Sequence, residues 1–249
     1  RSLWAHFQTL CDIPRPSGHE AALRTHLIEW AQSRGLETRT DTVGNLVIVK
    51  PATPGMENRE TVVLQGHLDM VAQQNAGTGH DFERDPIRLI EAEEDGWIKA
   101  DGTTLGADNG LGVAAALAIL ESDDIAHPAI EALFTIDEEA GMTGAHGLSA
   151  DILTGRLLLN QDTEDWGEFY VGCAGGVDVR LTRQLTREML PAGWTSGTIS
   201  LTGLKGGHSG VDIHLERGNA NKLMARILDD LLSVTALRLV SMTGGTLRN

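Results

Sequence analysis

The 249 residues are 41% hydrophobic and 22% charged, enough for one large folded core or two smaller ones. Lys and Arg number 20 against 35 Asp and Glu, a formal charge of −15, which excludes nucleic acid and anionic membrane as natural partners, and no apolar stretch has the length to span a bilayer. Only Cys11 and Cys173 are present, far apart in sequence, so neither a disulfide framework nor a cysteine-based zinc module is available and a reducing, cytoplasmic setting is expected.

Residues 3–11 predict a short amphipathic helix, broken by Ile13-Pro14-Arg15-Pro16-Ser17-Gly18, with Ser17 placed to cap the next helix. Over 19–33 the residues Ala22, Leu23, Leu27, Trp30 and Ala31 recur at helical spacing, and Gly35 ends the run. Residues 37–41 and 46–50 read as strands turning at Val43-Gly44-Asn45.

A Pro/Gly-rich link over 51–58 leads into Val62-Val63-Leu64-Gln65-Gly66-His67-Leu68-Asp69-Met70, an apolar strand that delivers His67 and Asp69 at its end. Residues two apart on a strand share a face, so these side chains can touch. A metal-binding histidine usually gives its second ring N–H to a carboxylate, which makes His67 a candidate ligand with Asp69 behind it. Taken alone, the pair reads more simply as a buried strand ending in a polar turn. The loop over 72–86 is polar and carries His80, read as a surface residue, and 87–90 with 97–100 predict a hairpin around Glu94-Asp95-Gly96.

Leu105-Gly106-Ala107-Asp108-Asn109-Gly110-Leu111-Gly112 then runs into a helix over 113–120. Its glycines match neither a dinucleotide fingerprint nor a phosphate-cradling loop, so no nucleotide is indicated. Asp108 sits at a helix start, where the helix dipole favours negative charge, and capping alone would explain it. The glycines around it let the backbone approach another object closely. Next, Ala132-Leu133-Phe134-Thr135-Ile136 ends in Asp137-Glu138-Glu139-Ala140-Gly141, and clustered like charges at a buried strand end call for a cation or protons to relieve them. Arg156-Leu157-Leu158-Leu159-Asn160 repeats the pattern, ending in Gln161-Asp162-Thr163-Glu164-Asp165.

Four apolar strands are thus expected to end in His/Asp, Asp, Glu/Glu and Asp. In open α/β sheets ligands bind beyond the carboxyl ends of the strands, so these groups can converge on one point. Histidine with carboxylates is zinc-type ligation, and two ions sharing a bridging carboxylate can activate one water.

The motifs Gly66-His67-Leu68-Asp69-Met70, Gly106-Ala107-Asp108-Asn109-Gly110, Asp137-Glu138-Glu139-Ala140-Gly141 and Asn160-Gln161-Asp162-Thr163-Glu164 resemble those of the co-catalytic zinc exopeptidases. Within that superfamily the chain is most similar to the aminoacyl-histidine dipeptidases, the Xaa-His dipeptidase group. Lys50-Pro51-Ala52, Gly55-Met56-Glu57-Asn58-Arg59, Gly172-Cys173-Ala174-Gly175-Gly176 and Gly203-Leu204-Lys205-Gly206-Gly207-His208-Ser209-Gly210 extend the likeness over most of the chain.

The resemblance implies an α/β fold, a central mixed sheet flanked by helices, with part of a smaller ferredoxin-like lid. It implies a catalytic domain over 1–172 and the first part of the lid over 173–249. It implies a dinuclear metallodipeptidase acting on unblocked Xaa-His dipeptides with two divalent ions, zinc first, with cobalt or manganese as alternatives. By this resemblance His67 and Asp162 ligate one ion, Asp108 bridges, Glu139 ligates the second, Asp69 orients His67, and Glu138 is the general base. Glu138 and Glu139 would face apart in a regular strand, so the chain must turn there, and Ala140-Gly141 permits it. His208 would donate to the developing oxyanion, and Asn219 or Asn221 would contact the substrate carboxylate. For Asn219 a helix-cap reading stands equally, because it opens a predicted helix.

From Tyr170 onward the chain changes character. Residues 178–186, 198–204 and 237–242 predict strands, and 219–232 a helix with Leu223, Met224, Ile227, Leu228 and Leu231 on one face. His6, His19, His26, His127, His146 and His214 have no motif around them and are read as structural. The start at Arg1 and the stop at Thr243-Gly244-Gly245-Thr246-Leu247-Arg248-Asn249 suggest an N-terminal fragment, and the further histidine that the family places on its second ion has no counterpart in these residues. An aminoacylase-like amidohydrolase, or a non-catalytic fragment, is the alternative. The family also suggests a homodimer through the lid.

Overall fold

The structure is a computed structural model that describes residues 2–92, 96–163, 165, 167–173, 175, 177, 179–207 and 212–244. It divides into two compact units, Arg1–Gly172 and Cys173–Asn249. The first contains helices α1 (Ser2–Asp12) and α2 (Ala21–Ser33), strands β1 (Glu37–Thr40), β2 (Leu46–Lys50), β3 (Val62–His67), β4 (Leu89–Glu91) and β5 (Ile98–Ala100), and helix α3 (Ala107–Glu121). It continues with β6 (Ile130–Thr135), the one-turn helices α4 (Glu138–Gly141) and α5 (Thr143–His146), and β7 (Leu157–Asn160).

The central sheet runs β1-β2-β6-β3-β7. β1 and β2 pair antiparallel, as do β2 and β6, whereas β3 lies parallel to both β6 and β7. This is the mixed sheet with flanking helices that the motifs imply. Alternation along the strands explains its two faces. Leu46, Ile48, Leu64, Ala132 and Phe134 join the core formed with α1, α2 and α3, while Val47, Val63 and Leu133 pack on the other side with Leu148, Ile152 and Leu153. With both faces covered, all of β6 is buried, and it reads as a nearly continuous apolar run.

The helices follow from spacing. Leu23, Leu27 and Ala31 recur every four residues along α2 and are buried together, and Phe7, Leu10 and Cys11, three and four apart, are the buried face of α1. The predicted hairpin forms as β4 and β5, paired antiparallel through Leu89↔Ala100, while Glu94 and Asp95 lie outside the described residues. Among the described residues β7 pairs only with β3, and it is exposed throughout.

Two local expectations are corrected. Asp108 does not end a strand: residues 104–106 are irregular, and α3 begins one residue before it. Ser17 does not cap α2, whose cap position is Glu20; its hydroxyl is committed elsewhere.

Among its described residues the second unit holds one short 3-10 turn, Ile213–Leu215, and one helix, α6 (Ala220–Val234). The helix predicted at 219–232 is therefore present, with Asn219 as its cap. The strands predicted over 178–186, 198–204 and 237–242 are not formed among the described residues. A strand persists only where its backbone groups find a partner, and Val179, Leu181, Leu185, Leu239 and Val240 stand exposed.

Candidate metal centre

Parallel pairing of β3 with β6 and β7 brings three strand ends to one edge. His67 faces Thr135 in register, and Gln65 faces Asn160, so the segments beyond these strands leave from the same side. His67 is fully buried at the tip of β3. Its Nε2 lies 3.0 Å from Asp108 Oδ1 and 3.5 Å from Asp162 Oδ1, while its Nδ1 lies 3.3 Å from Asp69 Oδ1 and 3.2 Å from the Asp69 carbonyl. His67 and Asp69 form the floor, whereas the Asp108 and Asp162 side chains remain 42% and 29% exposed and face outward.

The third strand end turns earlier than Ala140-Gly141 suggests. Asp137 takes a left-handed conformation at φ 52°, and Glu138 and Glu139 form the first turn of α4. Both of their backbone N–H groups donate to Asp69, at 3.0 Å to Oδ1 and 3.1 Å to Oδ2. The carboxylate behind the histidine therefore also anchors the two glutamates. The peptide bond between Asp108 and Asn109 is cis.

Glycines make this closeness possible. A Cβ on Gly66 would lie 2.4 Å from Asn109 Oδ1, and one on Gly112 would lie 2.8 Å from the Gln161 carbonyl. The start of α3 can thus press against β3 and the segment beyond β7, where Asn109 Nδ2 donates to the Gln161 carbonyl at 2.7 Å and to Asp162 Oδ1 at 2.9 Å.

The electrostatics reflect this crowding. Burial works against charge on His67, yet the adjoining Asp108, Asp162 and Asp69 overcome it and push its pKa up to about 12. Burial likewise opposes the charge of Asp69, but bonds from His67, Ser17 and the Glu138 N–H hold it down to about 2. Asp162 is held below its ordinary value for similar reasons, burial being outweighed by His67. Glu138 is raised, and Glu139 is raised to about 7, first by burial and then by neighbouring carboxylates.

One imidazole among repelling carboxylates is a donor set that fits a divalent cation. His67, Asp108 and Glu139 each offer a ligand atom within 4.8 Å of the others, which is the possible metal cluster found among the described residues. The structure thus gathers His67, Asp69, Asp108, Glu138, Glu139 and Asp162 at one place. His208 lies outside the described residues. Asn219 caps α6 by accepting the Lys222 N–H at 2.9 Å, and Asn221 is exposed in the first turn.

Sequence reasoning overlooked two supports of this site. Ser17 Oγ donates to Asp69 Oδ2 at 2.7 Å, and Asn109 reaches Asp162. For Asn109 the signal was its place between Asp108 and glycine; for Ser17 no local signal existed, because its partner is 52 residues away.

Residues 63–220 match the model of peptidase family M20/M25/M40. The chain is 51% identical over 248 residues to the cytosol non-specific dipeptidase of Escherichia coli, covering 99% of this chain and 50% of that protein. It also superposes on the aminoacylhistidine dipeptidase of Vibrio alginolyticus with a TM-score of 0.69 and 52% identity, over 91% of this chain and 46% of that one. A tripeptidase from Staphylococcus aureus gives a TM-score of 0.55 at 26% identity, over 65% of this chain and 43% of that one. The chain spans about half the length of the relatives it matches.

Proposed function

The chain belongs to peptidase family M20/M25/M40, and on that premise we propose that it carries the metal-binding half of the catalytic machinery of a dinuclear metallodipeptidase. One observation carries this reading: His67, Asp69, Asp108, Glu138, Glu139 and Asp162, all within the residues that match the family, converge at the carboxyl edge of parallel strands.

In this reading His67, Asp162, Asp108 and Glu139 would hold the two divalent ions, His67 and Asp162 the first, Glu139 the second and Asp108 both. Zinc fits the imidazole-and-carboxylate donors best, with cobalt or manganese as substitutes. Bound there, the ions would supply Lewis acidity and lower the pKa of water. Asp69 fixes the ring of His67, whose other nitrogen then faces Asp108 and Asp162. Glu138 takes a proton from the attacking water as the new C–O bond forms, and hands it to the amine nitrogen as the C–N bond breaks. Its pKa, raised first by burial, makes it a better proton acceptor than an exposed glutamate.

The substrate is an unblocked dipeptide, with histidine preferred at the C-terminal position. The relatives' names differ on this point, one non-specific and one aminoacylhistidine. His208 is assigned to the oxyanion and Asn219 or Asn221 to the substrate carboxylate. Homodimerisation through 173–249 and action in the cytoplasm complete the proposal. No described helix is long and apolar enough to cross a membrane.

The deciding experiment measures bound metal and hydrolysis on one sample, using Xaa-His, Xaa-Ala and N-acetylated dipeptides. The expected result is turnover of free dipeptides only, fastest with histidine. Glu138→Gln is expected to keep its metal and lose roughly 10²–10⁴-fold in kcat. Hydrolysis of N-acetylated substrates in preference would favour an amidohydrolase, and full turnover by Glu138→Gln would remove Glu138 from its role.

A further inference from the structure

Arg15 heads the largest fully buried side chains, at 2% exposure, in the Pro-Arg-Pro link between α1 and α2. A buried guanidinium ordinarily pairs with a carboxylate, because an uncompensated charge is costly in the interior. Here all the hydrogen bonds run to backbone carbonyls. Nε donates to Leu10 at 3.2 Å, Nη1 to Leu68 at 2.9 Å and to Asp69 at 3.0 Å, and Nη2 to Gly106 at 2.6 Å. Among the described residues no carboxylate lies within ion-pair distance of it.

Those acceptors are not scattered. Leu68 and Asp69 directly succeed His67, and Gly106 comes two residues before Asp108. One planar fork therefore sets the spacing between the two segments that deliver the imidazole and the outward-facing carboxylate. The link itself is stitched to the same loop: the Met70 N–H donates to the Arg15 carbonyl at 3.2 Å, Pro16 bridges Met70, and Ser17 holds Asp69. Room for the fork comes from glycine, since a Cβ on Gly106 or Gly110 would lie 2.6 or 2.7 Å from Nη2.

Carbonyl oxygens solvate the guanidinium without cancelling its charge.

We infer that Arg15 is a positioning residue of the metal centre, clamping the His67 and Asp108 segments at ligand spacing. The inference rests on the metal reading above. Lysine, a point charge without the fork, can replace the charge but not the clamp.

Cobalt(II) titration tests it, reading both affinity and the visible ligand-field bands of the wild type, Arg15→Lys, Arg15→Gln and Glu131→Gln. Glu131 is a buried charge four residues before the end of β6, so it controls for lost stability alone. The expected result is affinity weaker by roughly 10–100-fold in both Arg15 variants, with altered bands and the milder effect in Arg15→Lys. Glu131→Gln is expected to lower the unfolding midpoint and leave cobalt binding unchanged. Wild-type affinity and bands in Arg15→Lys and Arg15→Gln would overturn the inference, as would equal weakening in Glu131→Gln. Failure of Arg15→Lys to fold would assign the side chain to the core and overturn it too. A wild type that takes up no cobalt would instead overturn the metal reading itself.

Discussion

Asp69 accepts the backbone N–H of Glu138 at 3.0 Å, so the residue that orients His67 also fixes the glutamate proposed as general base. Its other oxygen takes the Glu139 N–H at 3.1 Å and the Ser17 hydroxyl at 2.7 Å. Asparagine has nearly the same shape but only one acceptor oxygen, so Asp69→Asn must leave one set of these donors facing an NH2 group. The variant is expected to fold and to bind zinc roughly 10–100-fold more weakly, measured by chelator competition. Unchanged affinity would separate Asp69 from the site.

Metal uptake should release protons. In the metal-free chain His67 is pushed up to about 12 by Asp108, Asp162 and Asp69 against the effect of burial, so it is charged at neutral pH and must lose a proton to become a ligand. Glu139, raised to about 7 chiefly by burial, adds a further fraction. Titration calorimetry with zinc in buffers of different ionisation enthalpy is expected to show at least one proton released at pH 7, and affinity that rises with pH. Binding without proton release would contradict the protonated His67.

Acid sensitivity should come partly from Glu131. This carboxylate is buried within β6 and receives the Thr154 and Gly155 N–H groups, the Thr154 hydroxyl and Arg39 Nη1 at 2.8–3.1 Å. Burial alone would raise its pKa, but these bonds hold it below the ordinary 4.5. A depressed carboxylate contributes stability that is fully present above the unfolded pKa and is lost as pH falls through the folded value. Glu131→Ala is expected to cost about 2–3 kcal/mol in urea unfolding at pH 7, because the Thr154 and Gly155 N–H groups lose their acceptor. Glu131→Gln is expected to flatten the loss of stability below pH 4.5. An acid limb unchanged in that variant would assign the sensitivity to other carboxylates.

Asn219 offers a direct choice between two roles. Its side chain accepts the Lys222 N–H at 2.9 Å, an N-cap worth about 1 kcal/mol against alanine. Asn219→Ala is expected to speed hydrogen exchange through the first turn of α6, and Asn219→Ser to restore protection. If Asn219 also contacts a substrate carboxylate, Asn219→Ser keeps the cap yet raises KM for dipeptides. A KM unchanged in both variants would leave capping as its whole role.

Most of the larger unit could be read directly from residue order. Period-four burial in α2, the apolar runs of β2, β3 and β6, and the acids trailing β3, β6 and β7 all reflect local spacing, which the chain carries wherever it is placed. The motif residues were legible for the same reason, since a strand must deliver the next residues to its own end. Tertiary structure alone decided which partners these residues meet. Ser17 looked like a helix cap and instead holds Asp69, and Arg15 looked like part of a rigid breaker and instead spans Leu10, Leu68, Asp69 and Gly106. The turn came at Asp137 because Asp69 draws the Glu138 and Glu139 N–H groups inward, a pull exerted from 69 and 70 residues away. Long-range hydrogen bonds carry no local periodicity, and a strand without a paired neighbour does not form. Among the described residues of 173–249, those expected as strands show the second limit as clearly as Arg15 shows the first.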